Sequence, residues 1–529
     1  MERRTSTGIS EYTGTWSKWE VKHLLSRALF GYTHADLTKY TGKTMAQTVT
    51  DLLNIDTNVP PLPTNDYSFN TPDPACAEDA VWVNTANSKN FQRRMSLRNW
   101  WLKHMIGDGT IREKMTLFWH NHFAAESNAI GDARLAYGYL ALLRKYCLGD
   151  FKAFTKDMTK NPGMLRYLNG YLNHKNAPDE NYARELQELF TLGKGPDSGY
   201  TEDDVKAAAR VLTGWRIDYS KTPPVSYFQS SWHDENDKQF SAFFKNTKIA
   251  GKSGASAGED ELDDMLDMIF ASTEVSKHII RRLYTFFVYY EIDTDTETNV
   301  IGPLAQVFRN NNYNIKPVIE TLLKSEHFYD QANRGCIIKQ PIDYMLAFAK
   351  SAYLNLPPEN AGNAALYSHE KYLNDICVGS EQALLDPPSV AGWPAYYQVP
   401  SFHELWVSSN TMPIRVSIMA QFITNGRTSQ GHTMKMDVFN FAEKISDPSD
   451  PNKVVNESLE YFLSMPPTEN LKKSTKEFLL PGGLPDSNWT NVWNTYKSNP
   501  GDATNTKTCK DLLTYMLYSI LNLAEYQLH

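Results

Sequence analysis

Three histidines and three acids have the types and settings for chemistry. His120 and His122 stand two apart in Trp119-His120-Asn121-His122-Phe123. Glu185 and Glu188 share one helical stretch, and His233 precedes Asp234 in a polar one. Imidazoles with a carboxylate are the ligand types of a divalent transition metal. On that reading His120, His122 and His233 hold one metal ion, while Glu185, Glu188 and Asp234 move protons or orient ligands. No HExxH and no paired ExxH is present to compel a metal. Local structure decides what the histidine pair can do. In extended chain, residues two apart point the same way and could share an ion. In a helix they differ by about 200°, placing His122 beside Met115, Phe118 and Trp119 and turning His120 outward. The alternatives are a core histidine and a hydrogen-bonded surface histidine at 120 and 122, and a surface turn at 233–234.

The element that must position Glu185 is residues 181–215, which read as helix, glycine-rich turn, helix. Asp179 is the expected cap of the first helix. At about 100° per residue, Tyr182, Leu186, Leu189, Phe190 and Leu192 share an arc that also contains Glu185. Asn181 and Glu188 lie at its edge, and Arg184, Gln187 and Thr191 face away. A carboxylate on an apolar face has to be paired, hydrogen-bonded, metal-bound or protonated. Either it belongs to a site or it forms a strut with an arginine or amide. Gly193, Gly195, Pro196 and Gly199 break the helix, and Thr201 with Asp204 restarts it. Arg184, Arg210, Arg281 and Arg282 are candidate partners of buried acids or of an anionic ligand. Trp215, Trp232 and Trp393 fall in glycine-bearing turns, where exposed rings would suit sugars or peptide side chains. Asn181, Arg184, Arg210, Trp215 and Trp393 are therefore the candidate ligand-binding residues.

The remainder sets the frame. A chain of 529 residues, 41% hydrophobic and 22% charged, can bury a large core. A net charge of −8 argues against a dedicated nucleic-acid binder. No stretch of about 18 apolar residues predicts a transmembrane helix. Residues 1–11 have no apolar core of a signal peptide, so the cytoplasm is the default compartment, with export or a periplasmic location as the alternative. The five cysteines are scattered and form no CxxC pair, so buried free thiols are expected. Helices are predicted from Ser17 and Glu20 onward, after Thr110 through a capping box with Glu113, at 134–146 and at 151–160, with Asn161-Pro162-Gly163 as a stop. The fold class is mainly α: a large multi-helix protein with a polar irregular or short-strand insertion around 216–258. The expected divisions are 16–215, 216–260, 261–423 and 424–529.

Several of these stretches carry one resemblance. Asp179, Glu180, residues 181–193, Tyr200 to Val205 and Ala209 to Trp215 resemble the signature of the bacterial domain-of-unknown-function family numbered 1800. His23-Leu24-Leu25, Trp119 to Phe123, His233-Asp234 with Lys238 and Phe240, and Gln382 to Pro394 resemble further segments of it. Ser389 and Ala391 stand where Asn and Lys are commoner. The family has no settled activity. The resemblance implies a neighbouring gene for an exported, sulfatase-like partner protein, and so an envelope setting. The leading expectation is a metal-assisted hydrolase of unknown substrate. The rivals are a non-catalytic scaffold or binding module acting with a partner at the cell envelope, and a glycan-binding protein.

Overall fold

The computed structural model describes residues 6–56, 59–195, 197–393 and 404–529. Helix packs on helix throughout these residues. The sheets among them are three two-stranded antiparallel hairpins. Two of the hairpins build the polar stretch after Trp215: Trp215–Asp218 pairs with Val225–Phe228, and Lys238–Gln239 with Lys248–Ile249. One buried apolar cluster runs through the chain from Val21 to Tyr526. No helix among the described residues is long and apolar enough to cross a membrane. The five cysteines are free thiols, and all but Cys336 are buried.

Local signals explain where many of the helices begin. Ser17 and Glu20 form a reciprocal capping box at the start of Lys18–Ala28, as do Thr201 and Asp204 at the start of Glu202–Val211. The box expected at Thr110 does not form. Ile111 takes the cap position of Arg112–His122 without a side-chain bond. Glu113 turns inward instead, accepting from Trp101 Nε1 at 2.9 Å and from Arg144 Nε at 2.9 Å. Asn161 is less a stop than a restart. Its Oδ1 accepts from the backbone of Gly163 and Met164, and Pro162 opens the next helix, Pro162–Tyr167. Asn363–Gly379 and Asp486–Ser498, neither with a side-chain cap, are not anticipated from sequence, and neither is Met45–Leu53, although Thr44 and Gln47 form a capping box there.

Candidate functional site

The helix Arg112–His122 continues through both histidines, so they point apart. His120 was expected to face outward and is instead fully buried, because the chain at Leu385 and Trp393 covers that side. Its Nε2 accepts from the Leu385 backbone N–H at 3.1 Å. Its Nδ1 lies 2.9 Å from the Tyr139 hydroxyl, which donates to Phe123 O at 2.7 Å. Nδ1 therefore carries the ring hydrogen. Burial, and then the charge of Arg98, push the His120 pKa down to about 3. Both of its nitrogens are occupied, and it has no lone pair left for a metal.

His122 points into a different neighbourhood, among Phe118, Trp119, Phe123 and Phe190. Its Nε2 donates to Phe190 O at 3.1 Å. That carbonyl belongs to an unusual piece of backbone. After one α-helical turn, Asn181–Glu185, the chain widens into a π-helical segment, Leu186–Thr191. The Leu192 N–H reaches back to Gln187 O at 3.0 Å, a span of five residues. The extra residue resets the helical phase. Gln187 and Thr191 were expected to face away and are both fully buried, while Glu185, expected within the apolar arc, is only half-buried. Such bulges recur at functional sites because they displace side chains from regular helical positions.

Side chains from other helices fasten this segment. His278 Nε2 lies 2.9 Å from Leu189 O, beside the His122–Phe190 bond. The Thr191 hydroxyl donates to Leu186 O, and Gln187 Nε2 donates to Ala183 O at 3.2 Å. Gly193 closes the segment at φ +80°, where a Cβ would stand 2.5 Å from His278 Nδ1, so glycine is required on both counts. Gly392 is similar: it sits at φ +90°, and a Cβ there would come within 2.2 Å of Asn121 Oδ1. That oxygen accepts from Trp393 N at 2.7 Å, and Arg282 donates to Asn121 O at 3.0 Å. The 119–123 segment thus joins the π-helical segment on one side and the 385–393 chain on the other. His278 was not anticipated from sequence. It lies on the apolar face of Thr273–Phe287, where it resembles any core histidine.

Glu185 sits where the α-helical turn gives way to the wide one. Its carboxylate makes no hydrogen bond or ion pair with a described residue. The expected arginine strut is not formed, since Arg184 engages Glu202 at 2.6 Å and Glu180 at 3.2 Å. Glu188 is taken by Lys194 at 3.0 Å. Burial, and then the charge of Glu188, raise the Glu185 pKa to about 7. Tyr167 and Glu126 share its surroundings. Burial raises the Tyr167 hydroxyl to about 12, with the charges of Glu126 and Glu185 adding to the effect. Neither residue carries a sequence signal, because each comes from a separate segment and only the fold brings them to Glu185.

His233 and Asp234 lie in another cluster, each already bonded. His233 Nδ1 lies 2.9 Å from Thr213 O, and its Nε2 is 3.1 Å from Glu261 Oε1. Fully buried Lys238 meets the same carboxylate at 2.5 Å, and Lys252 N donates to it at 2.7 Å. Asp234 accepts from Arg210 Nε at 2.7 Å and from Asn236 N at 2.9 Å. Burial opposes its ionisation, but these bonds hold its pKa down to about 2. His120 and His233 therefore face different neighbours: His120 has both nitrogens hydrogen-bonded, and His233 has Nδ1 bonded with Nε2 at ion-pair distance from Glu261. Among the described residues no group of three or more His, Cys, Asp or Glu could hold a metal ion. Trp215 and Trp393 are 5% and 2% exposed, so neither offers a ring face to a sugar. Asn181 is exposed and donates its backbone N–H to the Asp179 carboxylate at 2.9 Å, but the cap position expected for Asp179 is taken by Glu180, without a side-chain bond. Pro196 and Pro394 lie outside the described residues.

The model of the family described as protein of unknown function, DUF1800, matches residues 23–528, and the chain belongs to that family. No curated protein and no solved structure matches it.

Proposed function

For this member of a family without an assigned activity, we propose an acid–base hydrolase in which Glu185 is the proton-transferring group. One observation carries the reading. Among the described residues Glu185 has no hydrogen-bond or ion-pair partner; it is a half-buried carboxylate at the edge of a π-helical segment, its pKa raised to about 7. Every other anticipated acid is paired: Glu188 with Lys194, and Asp234 with Arg210. A carboxyl group with a pKa near the working pH can protonate a leaving group or accept a proton from water, a contribution worth about 10²–10⁴ in rate. The Tyr167 hydroxyl beside it is hydrogen-bonded to Glu126, so that carboxylate is engaged while Glu185 is not. Glu126, Glu185 and Glu188 make the locality electronegative, which favours substrates that are uncharged or cationic at the point of attack.

The supports for this reading come from the chain's own residues. His122 and His278 act by holding the carbonyls of Phe190 and Leu189, which fixes the backbone that carries Glu185; they are positioning residues. The metal-assisted form of the reading has less support in the donors, since His120 has both ring nitrogens bonded and His233 Nε2 lies 3.1 Å from Glu261, while His122 Nδ1 has no hydrogen-bond partner among the described residues. The glycan-binding form loses Trp215 and Trp393 to burial, and half-exposed Trp232 already has the Arg216 guanidinium 3.7 Å over its ring.

The test is a panel of uncharged chromogenic esters, glycosides and amides, assayed between pH 5 and 9 with the natural chain and Glu185→Gln. The expected outcome is turnover of one class, with a pH limb near 7 and a loss of about 10²-fold or more in the variant. Turnover that Glu185→Gln leaves intact overturns the proposal. So does an absence of turnover across the panel together with a Glu185 that is already ionised at pH 6.

A further inference from the structure

A second feature lies away from Glu185 and does not depend on the reading above. Between the helices Asn90–Gly107 and Ala133–Lys145, and ending at Pro162, runs an open groove of about 720 Å³. That is the volume of a small-molecule site. Its floor is apolar, formed by Trp100, Tyr137, Ala141 and Leu142. The Trp100 and Tyr137 rings meet edge to face, with centroids 6.0 Å apart.

The groove is kept open by a glycine. Gly138 sits in the interior of Ala133–Lys145, where glycine is the poorest helix former after proline. Close packing does not account for it, because a Cβ at this position would find nothing within 4 Å. Any larger side chain would project into the groove.

The rim carries four basic side chains, Arg112, Arg144, Lys145 and Lys160, against two acids, Asp56 and Asp157. Arg144 is engaged by Glu113, Lys145 by Asp157 and Lys160 by Glu259. Arg112 also lines the groove, and its guanidinium makes no hydrogen bond or ion pair with a described residue. The potential there is positive enough to act on a neighbour: burial, and then Arg144, Lys103 and Arg112, push the His104 pKa down to about 4. A half-buried guanidinium with no partner among the described residues, lining the same groove as two aromatic rings, suits an anion with an apolar body.

The geometry points to a binding site for a small amphipathic carboxylate, its carboxylate on Arg112 and its ring or chain on Trp100, Tyr137 and Leu142. The charge selects the ligand class: among the described lining residues Arg112 is the one cation without an ion pair, and it matches one carboxylate. A phosphate-rich ligand would need more free donors than the rim offers.

The experiment is isothermal titration of the full chain with 2-naphthoate, decanoate and the uncharged 2-naphthamide. The variants are Arg112→Gln and Gly138→Leu, each checked by circular dichroism and thermal melting. Saturable one-to-one binding of 2-naphthoate or decanoate is expected. Arg112→Gln should weaken the carboxylates about tenfold or more and leave the amide unchanged. Gly138→Leu should abolish binding of all three while keeping the helix, which leucine favours over glycine. The proposal is overturned if neither acid binds up to about 1 mM, the edge of measurable affinity. It is equally overturned if binding survives Gly138→Leu, or if only a peptide ending in a free carboxylate saturates the groove.

Discussion

Two regions of this protein use the same residue types and arrive at opposite states. In the hairpin region around 213–261, His233, Asp234, Lys238 and Glu261 are buried together, and each charge meets an opposite charge or a backbone dipole. Around the π-helical segment, His122 and His278 are bonded to carbonyls while Glu185 has no partner among the described residues. The first arrangement is what a structural network looks like: nothing in it is available to a substrate. The second uses its polar side chains to hold a π-helical backbone and leaves one acid without a partner among the described residues. What separates a strut from a site is therefore whether a titratable group still has bonding capacity once the fold is complete.

That contrast can be broken most severely in the paired cluster. Replacing Glu261 with Ala leaves Lys238 and His233 buried without their counter-charge, so urea denaturation should show a loss of about 3–5 kcal/mol. A small loss would mean that water reaches the cluster and that it is not the closed network described. The next effect belongs to the fastening of the π-helical segment. His122→Phe keeps a ring in place but strips the donor from Phe190 O, at an expected cost of about 1–3 kcal/mol in the same measurement. If His122 positions Glu185, this variant should also move the pH limb of any activity, which a merely structural histidine would not do.

The smallest effect has a distinctive sign. The folded-state pKa of Glu185 is raised, from 4.5 to about 7. Between those values the folded chain holds a proton that the unfolded chain has released, so this group's contribution to stability falls as pH rises from about 4.5 to 7. Glu185→Gln removes that dependence. The variant should match the natural chain at pH 4 and exceed it by about 1 kcal/mol at pH 8, after allowance for solvent screening of a half-exposed group. The buried histidines tilt the other way. His120 and His278 have pKa values lowered to about 3, and His122 is lowered as well. Their contributions are present above about 6.5 and are lost as pH falls towards 3, so acid unfolding should remain in Glu185→Gln.

Much of the fold was legible because its signals are local. The capping boxes at Ser17–Glu20 and Thr201–Asp204 state where helices begin, and the period of the apolar residues states that they are helices. The polar run after Trp215 announced short strands. The site was legible only in part. Glu185 could be singled out because an acid within an apolar arc is conspicuous, yet its actual exposure follows from a π-bulge, which is a tertiary adjustment that helical phasing cannot foresee. The same bulge moved Gln187 and Thr191 from the expected outer face to the core. His120 was misjudged because what covers it, the chain at Leu385 and Trp393, is more than 260 residues away in sequence. Glu126, Tyr167 and His278 gave no signal, since an isolated acid, tyrosine or histidine acquires meaning only from the neighbours the fold supplies.

The account rests on the ionisation of one side chain, and carbon-detected NMR of glutamate carboxyl groups reads it directly, with Glu185→Gln identifying the resonance. The account predicts a Glu185 midpoint near pH 7. A midpoint near the ordinary 4.5, with the variant's stability parallel to that of the natural chain at every pH, would show a carboxylate that water solvates freely, and the acid–base role assigned to it would fall.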